Sequence, residues 1–415
     1  MKKMQAENNK FDIRTLSFGC RLNSLESEKI QFMLRDIINT AILVNTCAVT
    51  AEGERQSGQA VRKIARENPN VVIFVTGCAA TRNPALFTEI PNVIVIPNGD
   101  KMRSGAYADA LAAAACRISN PEIMRFQHVA TNMSKQFIQV QNGCNHKCAY
   151  CVTRLLRGPA NSFAYDAILA DAQAAIRNGF SEVVLTGIDI ASYARDGMLI
   201  SDVCRNLLRD VPSIQRLRLS SMDPASPEIF KIMDLMQEDA RMMRHMHLSM
   251  QSGSDAILEL MGRRHNADTV HKIARRGAEI GATFSWDVIC GFPGETDALW
   301  AQTMELVQQT RPIKIHAFPF SPRPGTPAAD MRPQIDRSIS KQRVHDISAM
   351  ADKYRAEFMA SRIGAMTQVL VENNNTARDP HDIAVKIDGA PIPPRTVCNV
   401  KLTGIVADAF TAVVE

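Results

Sequence analysis

The chain has 415 residues, a length that predicts about three domains at roughly 150 residues each. Apolar residues make up 46% and charged residues 22%, as in ordinary globular proteins, and 48 basic against 43 acidic residues leave a net charge of +5. No apolar run approaches the ~18 residues that a membrane span needs, and the first residues lack the apolar segment of a secretory signal. We therefore expect a cytoplasmic protein without a membrane segment, whose ten cysteines pack, catalyse or bind metal rather than form disulfides.

Residues 1–130 alternate short apolar runs with amphipathic stretches. Nearly continuous apolar runs between helices are typical of buried parallel strands, so we expect a parallel α/β domain here. The predicted strands are Arg14–Phe18, Ala41–Asn45, Val71–Thr76 and Asn92–Ile96, and the predicted helices are Ser24–Arg35, Ala51–Asn68 and Ala106–Cys116.

Residues 131–361 continue this alternation through six units. Six β/α units predict a partial barrel, short of the eight that close a full one, with function at the carboxyl ends of its strands. The predicted strands are Phe137–Gln141, Glu182–Thr186, Arg216–Leu219, His247–Met250, Phe284–Ile289 and Ile313–Phe318. Predicted helices include Tyr165–Asn178, Ala256–Met261, Asp268–Ile280 and Leu299–Thr310, and Ser338–Ser361 is predicted to be a final packing helix or a linker.

Residues 362–415 change character and predict a small all-β module. Its predicted strands are Thr367–Glu372, Ile383–Ile387, Val397–Leu402 and Thr411–Val414. Five basic and six acidic residues do not mark it as a phosphate-binding surface. The fold class predicted for the chain is α/β, with a parallel N-terminal domain, a central (β/α)6 partial barrel and this C-terminal module.

Three cysteines directly follow the first strand of the central block, in the pattern Cys144-x3-Cys148-x2-Cys151. Thiolates on such a loop can converge on one inorganic centre, and three ligands leave one iron of a [4Fe–4S] cluster open for another molecule. A zinc site and a chance arrangement are the alternatives. Zinc usually adds a second cysteine or histidine pair, and the sequence offers none at that spacing.

This loop, with Tyr150 before its last cysteine, resembles that of the radical S-adenosylmethionine (SAM) enzymes. The stretches Leu185–Asp189, His247–Gly253 and Asp287–Thr296 are similar to strand-end motifs of that family. The resemblance implies that Cys144, Cys148 and Cys151 hold the catalytic [4Fe–4S] cluster, whose open iron binds SAM and cleaves it to a 5′-deoxyadenosyl radical. It also implies SAM contacts from Tyr150, Gly187, Asp189, Ser221, Gln251 and Asp287.

Three more cysteines, Cys20, Cys47 and Cys78, each follow a predicted strand of the first block. Ligands bind beyond the carboxyl ends of parallel strands, so these thiols can share a metal site, although ordinary packing accounts equally well for each alone. Their surrounding motifs, Gly19–Glu28, Asn45–Thr50 and Thr76–Ala80, resemble the N-terminal domain of the methylthiotransferases. That resemblance implies a second [4Fe–4S] cluster on these three cysteines, and the C-terminal module resembles a degenerate TRAM domain.

Within the methylthiotransferases, Arg216–Asp223, Gly262–His265 and Phe318–Pro327 are similar to the branch that acts on threonylcarbamoyladenosine in tRNA. The resemblance implies transfer of a methylthio group to C2 of that base, next to the anticodon. The sister branches, which act on isopentenyladenosine in tRNA or on an aspartate of ribosomal protein S12, are the alternatives. A flavodoxin-type electron donor is expected, and the sulfur source is not specified by the sequence.

Basic residues near the central loop are candidates for RNA contact, namely Arg154, Arg157, Arg263 and Arg264. No acidic residue occurs from Ile123 to Tyr165, which favours attraction of an RNA backbone or of the SAM carboxylate; a locally basic surface or counter-charge for a cluster is the alternative. Asn161 stands where the family has a second arginine. We interpret His146 as loop variation, and the remaining cysteines, Cys116, Cys204, Cys290 and Cys398, as packing residues.

Two other classes remain open from the sequence. One is a different radical SAM enzyme in which the N-terminal cysteines are merely structural. The other is a non-catalytic RNA-binding or redox protein that holds clusters.

Overall fold

A computed structural model describes residues 11–113 and 133–415 of the chain. These residues form two compact units, residues 11–113 with Cys151–Gly158, and residues 133–150 with Pro159–Glu415. Residues 362–415, which the sequence predicts as a separate module, belong to the second unit. Among the described residues, no helix combines the length and apolarity needed to cross a bilayer.

The first unit is built on a four-stranded parallel sheet in the order β1-β2-β3-β4, which confirms the predicted α/β fold. Successive residues of the strands alternate between two apolar clusters, with Ile42 and Val44 in one and Leu43 in the other. Both faces of the sheet are therefore buried, as the unbroken apolar runs predicted. The elements are β1 Asp12–Ser17, α1 Arg21–Leu34, β2 Thr40–Thr46, α2 Ala51–Glu67, β3 Val72–Gly77, α3 Cys78–Arg82, α4 Ala85–Thr88, β4 Val93–Val95, α5 Ser104–Ala113 and α6 Thr153–Arg157. Cys116, placed by prediction at the end of a helix, lies outside the described residues.

The second unit contains six parallel strands in two three-stranded sheets, β5-β8-β11 and β12-β13-β14. Parallel bridges Leu217↔Met242 and Met222↔Leu248 connect these sheets, so the six predicted strands form the predicted partial barrel. The elements are β5 Gln136–Gln139, β6 Gln141–Asn142, β7 Asn161–Ser162, α7 Tyr165–Arg177, β8 Glu182–Thr186, a 3-10 turn Ile190–Ser192, β9 Ala194–Arg195, β10 Met198–Leu199, α8 Ile200–Asp210, β11 Arg216–Leu219, α9 Glu228–Glu238, β12 His245–Gln251, α10 Asp255–Leu260, α11 Ala267–Ile280, β13 Thr283–Cys290, α12 Asp297–Thr310, β14 Lys314–Pro319, α13 Pro327–Asp330 and α14 Arg337–Ser361.

The C-terminal residues of the second unit form a closed five-stranded barrel in the order β15-β16-β17-β19-β18. Four of its strands match the prediction, and β16 was not predicted because it is short and polar. Its core includes the fully buried Val369, Leu402 and Phe410. The strands are β15 Met366–Asn373, β16 Thr376–Arg378, β17 Ala384–Asp388, β18 Val397–Val406 and β19 Ala409–Val414.

A buried ion network at the amino ends of the partial-barrel strands is hydrogen-bonded to this small barrel. Glu182, the first residue of β8, lies 2.6 Å from Arg216 Nε and 3.0 Å from Arg218 Nε. Arg216 in turn donates to the backbone oxygen of Asp379 at 3.0 Å. The small barrel is thus held at the edge opposite the carboxyl ends of the strands, where the resemblance places the cofactor.

Candidate metal centres

The three cysteines of the first unit follow three neighbouring parallel strands. Cys20 is the N-terminal cap of α1, Cys47 follows the last residue of β2, and Cys78 is the first residue of α3. Because β1, β2 and β3 are parallel and adjacent, all three residues lie at one edge of the sheet.

The backbone around Gly19 is shaped to fit Cys47. Gly19 has a φ of +89°, and a Cβ atom there would lie 2.6 Å from the Cys47 sulfur, so a side chain cannot be accommodated. The Cys78 and Cys20 thiols are also close enough for their charges to interact. These observations bring three soft sulfur donors to one region, which is the donor set that an iron–sulfur cluster requires.

A buried ion network lies next to these cysteines. The Glu26 carboxylate is 2.5 Å from Lys101 Nζ and 3.0 Å from Arg157 Nη1, and the three side chains are each 2% exposed. Burial alone would raise the pKa of Glu26, but the positive charges of Lys101 and Arg157 outweigh it and hold that pKa below its ordinary value. Glu26 is therefore ionised, and its carboxylate is shared by Lys101 and Arg157.

This network affects the pKa of the Cys78 thiol. Burial raises the pKa of this thiol above its ordinary value, and the charges of Arg157 and Lys101, with a hydrogen bond from Arg157, offset only part of that rise. Cations that favour a buried thiolate fit a site that carries negative charge once metal is bound. Positive charge therefore lies close to the three cysteines predicted to hold the second cluster.

In the second unit, the loop that carries Cys144 and Cys148 is fixed by backbone contacts. Ala149 N donates to Met261 O at 2.9 Å, and its carbonyl accepts from Ala328 N at 3.0 Å. The Cys148 sulfur lies 3.6 Å from Arg263 Nη1, and the Cys144 sulfur accepts from the His146 amide at 3.4 Å. The next cysteine of the motif, Cys151, begins the segment assigned to the first unit.

A polar network surrounds Cys144, and the sequence did not indicate it. The Asp189 carboxylate lies 3.7 Å from the Cys144 sulfur and 2.7 Å from His146 Nε2, and it accepts from Ser192 Oγ at 2.5 Å. Arg264 Nη2 lies 2.9 Å from His146 Nε2. His146, which the sequence analysis treats as loop variation, thus lies beside a predicted SAM contact. No local signal could have revealed this, because its partners are more than 40 positions away in the chain.

The turn after β8 positions Gly187 and Asp189. A Cβ atom on Gly187 would lie 2.7 Å from the Gln141 backbone oxygen, so the turn requires glycine. The Gln141 side chain accepts hydrogen bonds from Ile188 N at 3.1 Å and from Asp189 N at 2.9 Å. Gln141 is therefore a positioning residue that sequence reasoning missed.

The other predicted SAM contacts lie on or after three further strands and on the cysteine loop. Ser221 follows β11, and Gln251, with a φ of +71°, ends β12. Asp287 lies within β13, with its carboxylate 2.8 Å from His247 Nε2. The Tyr150 ring packs edge-on against the Phe292 ring, with 6.4 Å between the two ring centroids.

The four arginines predicted to contact RNA differ in exposure. Arg157 and Arg263 are 2% and 6% exposed and pair with Glu26 and Asp223, so their placement favours an internal role. Arg264 is 52% exposed. Within the described part of the chain, the buried Nε of Arg154 has no hydrogen-bond partner.

Comparison with known proteins defines the class of this chain. Residues 138–307 match the radical SAM superfamily, and residues 12–97 match the uncharacterized protein family UPF0004. The radical SAM methyltransferase TsrM from Kitasatospora setae, whose structure contains cobalamin and a [4Fe–4S] cluster, shares the fold with a TM-score of 0.53 at 15% identity. That alignment covers 74% of this chain and 70% of TsrM. The fold and the sequence match together define a radical SAM protein.

Curated relatives resolve the family further. The threonylcarbamoyladenosine tRNA methylthiotransferase MtaB of Rickettsia prowazekii is 37% identical over 388 residues, covering 90% of both chains. MtaB of Thermotoga maritima is 31% identical, covering 87% of this chain and 86% of that protein. The tRNA-2-methylthio-N(6)-dimethylallyladenosine synthase of Mannheimia succiniciproducens is 29% identical, covering 97% of this chain and 90% of that protein. The chain belongs to the radical SAM methylthiotransferase family.

Proposed function

We propose that this protein is a tRNA methylthiotransferase that adds a methylthio group at C2 of N6-threonylcarbamoyladenosine next to the anticodon. The observation that carries the proposal is the placement of Cys20, Cys47 and Cys78 at three adjacent strand ends, in a chain that also has the radical SAM loop. Relatives named for this reaction, at 30–37% identity over most of the chain, support the choice of nucleoside.

The two cysteine sets are the proposed ligands of two [4Fe–4S] clusters. Cys20, Cys47 and Cys78 would hold one cluster, and Cys144, Cys148 and Cys151 would hold the other, so that three cysteines would be available for each set of four irons. When bound, the clusters and SAM supply the radical and the sulfur that substitution at an unreactive adenine C–H position requires.

The protein's own groups bind and orient. Gln141 fixes the turn that presents Asp189, whose carboxylate is the proposed acceptor for the amino group of SAM. His146 and Ser192 hold that carboxylate in place through contacts of 2.7 Å and 2.5 Å. Arg263 lies 3.6 Å from the Cys148 sulfur and compensates the negative charge of a thiolate there. The participating side chains lie in loops and turns, and the contacts among them hold the Asp189 carboxylate in position before a ligand binds.

The proposed partners follow from this activity. The substrate is tRNA, and the exposed Arg264 is the best-placed of the four candidate arginines to contact its backbone. A flavodoxin-type protein is the proposed electron donor, and the cytoplasm, where such donors and tRNA occur, is the proposed compartment.

Cys204 and Cys290 are fully buried and serve in packing.

Nucleoside mass spectrometry of tRNA from cells that lack this gene tests the proposal. We expect loss of 2-methylthio-N6-threonylcarbamoyladenosine, with accumulation of the form without the methylthio group. A Cys47→Ala gene should fail to restore it, and Cys398→Ala, a cysteine outside both sets, should restore it. Unchanged threonylcarbamoyladenosine with loss of methylthio groups from isopentenyladenosine or ribosomal protein S12 would refute the assignment of substrate.

A further inference from the structure

The turn after α10 brings Arg263 to the loop that contains Cys148. Gly262 has a φ of +70°, which lets the chain turn there, and a Cβ atom on it would lie 3.2 Å from the Lys147 backbone oxygen. The Arg263 amide donates to the Leu258 oxygen at 2.8 Å, which fixes the backbone of Arg263 at the end of the helix. The turn therefore lies against the cysteine loop, and its backbone sets where the Arg263 side chain begins.

The Arg263 guanidinium bridges two oxygen acceptors and a cysteine sulfur. Its Nη2 atom donates to the Asp223 carboxylate at 2.9 Å and to the Ser249 backbone oxygen at 2.8 Å, and its Nη1 atom donates to the Cys148 sulfur at 3.6 Å. The side chains of Arg263 and Asp223 are 6% and 7% exposed, so water competes little for these hydrogen bonds. Because a guanidinium is planar and rigid, the bonds that hold Nη2 also direct Nη1 towards the sulfur.

We propose that the hydrogen bond from Arg263 to Cys148 raises the reduction potential of the radical SAM cluster, and that Asp223 holds the guanidinium in place to donate it. The potential of an iron–sulfur cluster depends on hydrogen bonds to its sulfur atoms and on nearby charge. Reduction adds negative charge to the cluster and its ligands, so a cationic donor stabilises the reduced state more than the oxidised state. The cluster therefore accepts an electron more readily from the proposed donor. This inference rests on the proposed function, because it takes Cys148 as a ligand.

Arg264 provides a matched control because it shares the same carboxylate. Its Nη2 atom donates to the second oxygen of Asp223 at 2.8 Å, and its side chain is 52% exposed. Its other side-chain hydrogen bond within the described part of the chain is with His146 and not with a cysteine. Arg263→Gln and Arg264→Gln thus each remove one cation and one ion pair with Asp223. Only Arg263→Gln also removes a hydrogen bond to a ligand sulfur.

The measurement is a redox titration followed by electron paramagnetic resonance on the full chain carrying Cys20→Ala, Cys47→Ala and Cys78→Ala. In this background only the radical SAM cluster titrates, and iron and sulfide are quantified for every variant. We expect Arg263→Gln to lower the potential by about 59 mV, which is a tenfold shift of the one-electron equilibrium. Arg264→Gln should shift this equilibrium by less than about twofold, because solvent screens the charge of an exposed side chain.

The comparison of the two variants decides between a hydrogen bond and the ion pair. Similar shifts in Arg263→Gln and Arg264→Gln would overturn the proposal, because the effect would then belong to the shared pairing with Asp223. A potential that stays unchanged or rises in Arg263→Gln would also overturn it. If the background chain binds no iron, the proposed function fails at this cluster and the inference fails with it. Iron that binds with a potential insensitive to Arg263 overturns this inference alone.

A spectroscopic measurement covers the case in which Arg263→Gln does not retain iron. The background chain is labelled with [¹⁵N]arginine, and pulsed electron paramagnetic resonance of the reduced cluster detects ¹⁵N nuclei that are hydrogen-bonded to its ligands. We expect a ¹⁵N coupling that persists in Arg264→Gln and disappears in Arg263→Lys, which keeps the charge without the guanidinium. Absence of the coupling from the background chain, or its persistence in Arg263→Lys, would overturn the proposal.

Discussion

Replacing Glu182 with glutamine should destabilise the second unit strongly. This carboxylate is fully buried and contacts Arg216 at 2.6 Å, Arg218 at 3.0 Å and Lys135 at 3.7 Å. Removing one member of a buried ion network leaves its partners uncompensated, which typically costs about 3–5 kcal/mol. We expect a loss of that size in the free energy of unfolding for Glu182→Gln.

The acid dependence of stability gives an independent measure of the same network. Burial alone would raise the pKa of Glu182, but Arg218, Lys135 and Arg216 lower it from 4.5 to about 2. This difference corresponds to about 3 kcal/mol of stability, present above about pH 4.5 and lost as the pH falls towards 2. The wild-type protein should lose this contribution in that range, and Glu182→Gln should not.

Tryptophan fluorescence during urea unfolding measures both the stability lost in Glu182→Gln and its dependence on pH, and it reports on the second unit. The chain has two tryptophans, Trp286 and Trp300, and both belong to the second unit. Glu238→Gln is the control, because Glu238 pairs with Arg205 at the surface, where ion pairs contribute little. The reasoning is refuted if Glu182→Gln loses no more stability than Glu238→Gln.

Three further predictions concern the candidate sites. Gly187→Ala should weaken SAM binding at least tenfold in calorimetry, because the new Cβ would lie 2.7 Å from the Gln141 backbone oxygen. Gly105→Ala is the control and should leave the affinity unchanged, because no atom lies within 4 Å of its Cβ position. Equal SAM affinities of the two variants would contradict the prediction. The Cys47→Ala protein should still release 5′-deoxyadenosine from SAM under reducing conditions but should form no methylthiolated tRNA. Methylthiolated tRNA from this variant would show that the N-terminal cysteines have only a structural role. Cys204→Ala should retain wild-type iron, since this buried cysteine belongs to neither set, and a loss of iron would count against that division.

Much of the fold was predictable because the strands are apolar runs between amphipathic helices. Val183, Val184 and Leu185 in β8 are all fully buried, as expected for a parallel strand covered on both faces. The strand Thr376–Arg378 was not predictable, since three residues are too few to show a periodic signal and their pairing depends on neighbours in the closed barrel.

Some features of the candidate sites could likewise be predicted from the sequence, and others could not. Cysteine spacing is local, so the motif around Cys144 and the strand-end position of Cys47 can be read from the sequence. Contacts between distant positions cannot, and these include Arg157 with Glu26, 131 positions apart, and His146 with Asp189. A sequence shows that Arg157 is basic and near a cluster motif, but only the fold shows that it is buried against a carboxylate. For this reason its predicted role at the RNA surface is not supported by its position.

The central claim is tested most directly by the reaction itself. The reconstituted protein would be mixed with SAM, a reductant, a sulfide source and tRNA bearing N6-threonylcarbamoyladenosine, and the digested nucleosides analysed by mass spectrometry. We predict a new nucleoside whose methylthio group is located at C2 of the adenine, absent when Cys144 or Cys47 is replaced by alanine. Release of 5′-deoxyadenosine without any methylthiolated nucleoside, from protein that holds both clusters, would contradict the account.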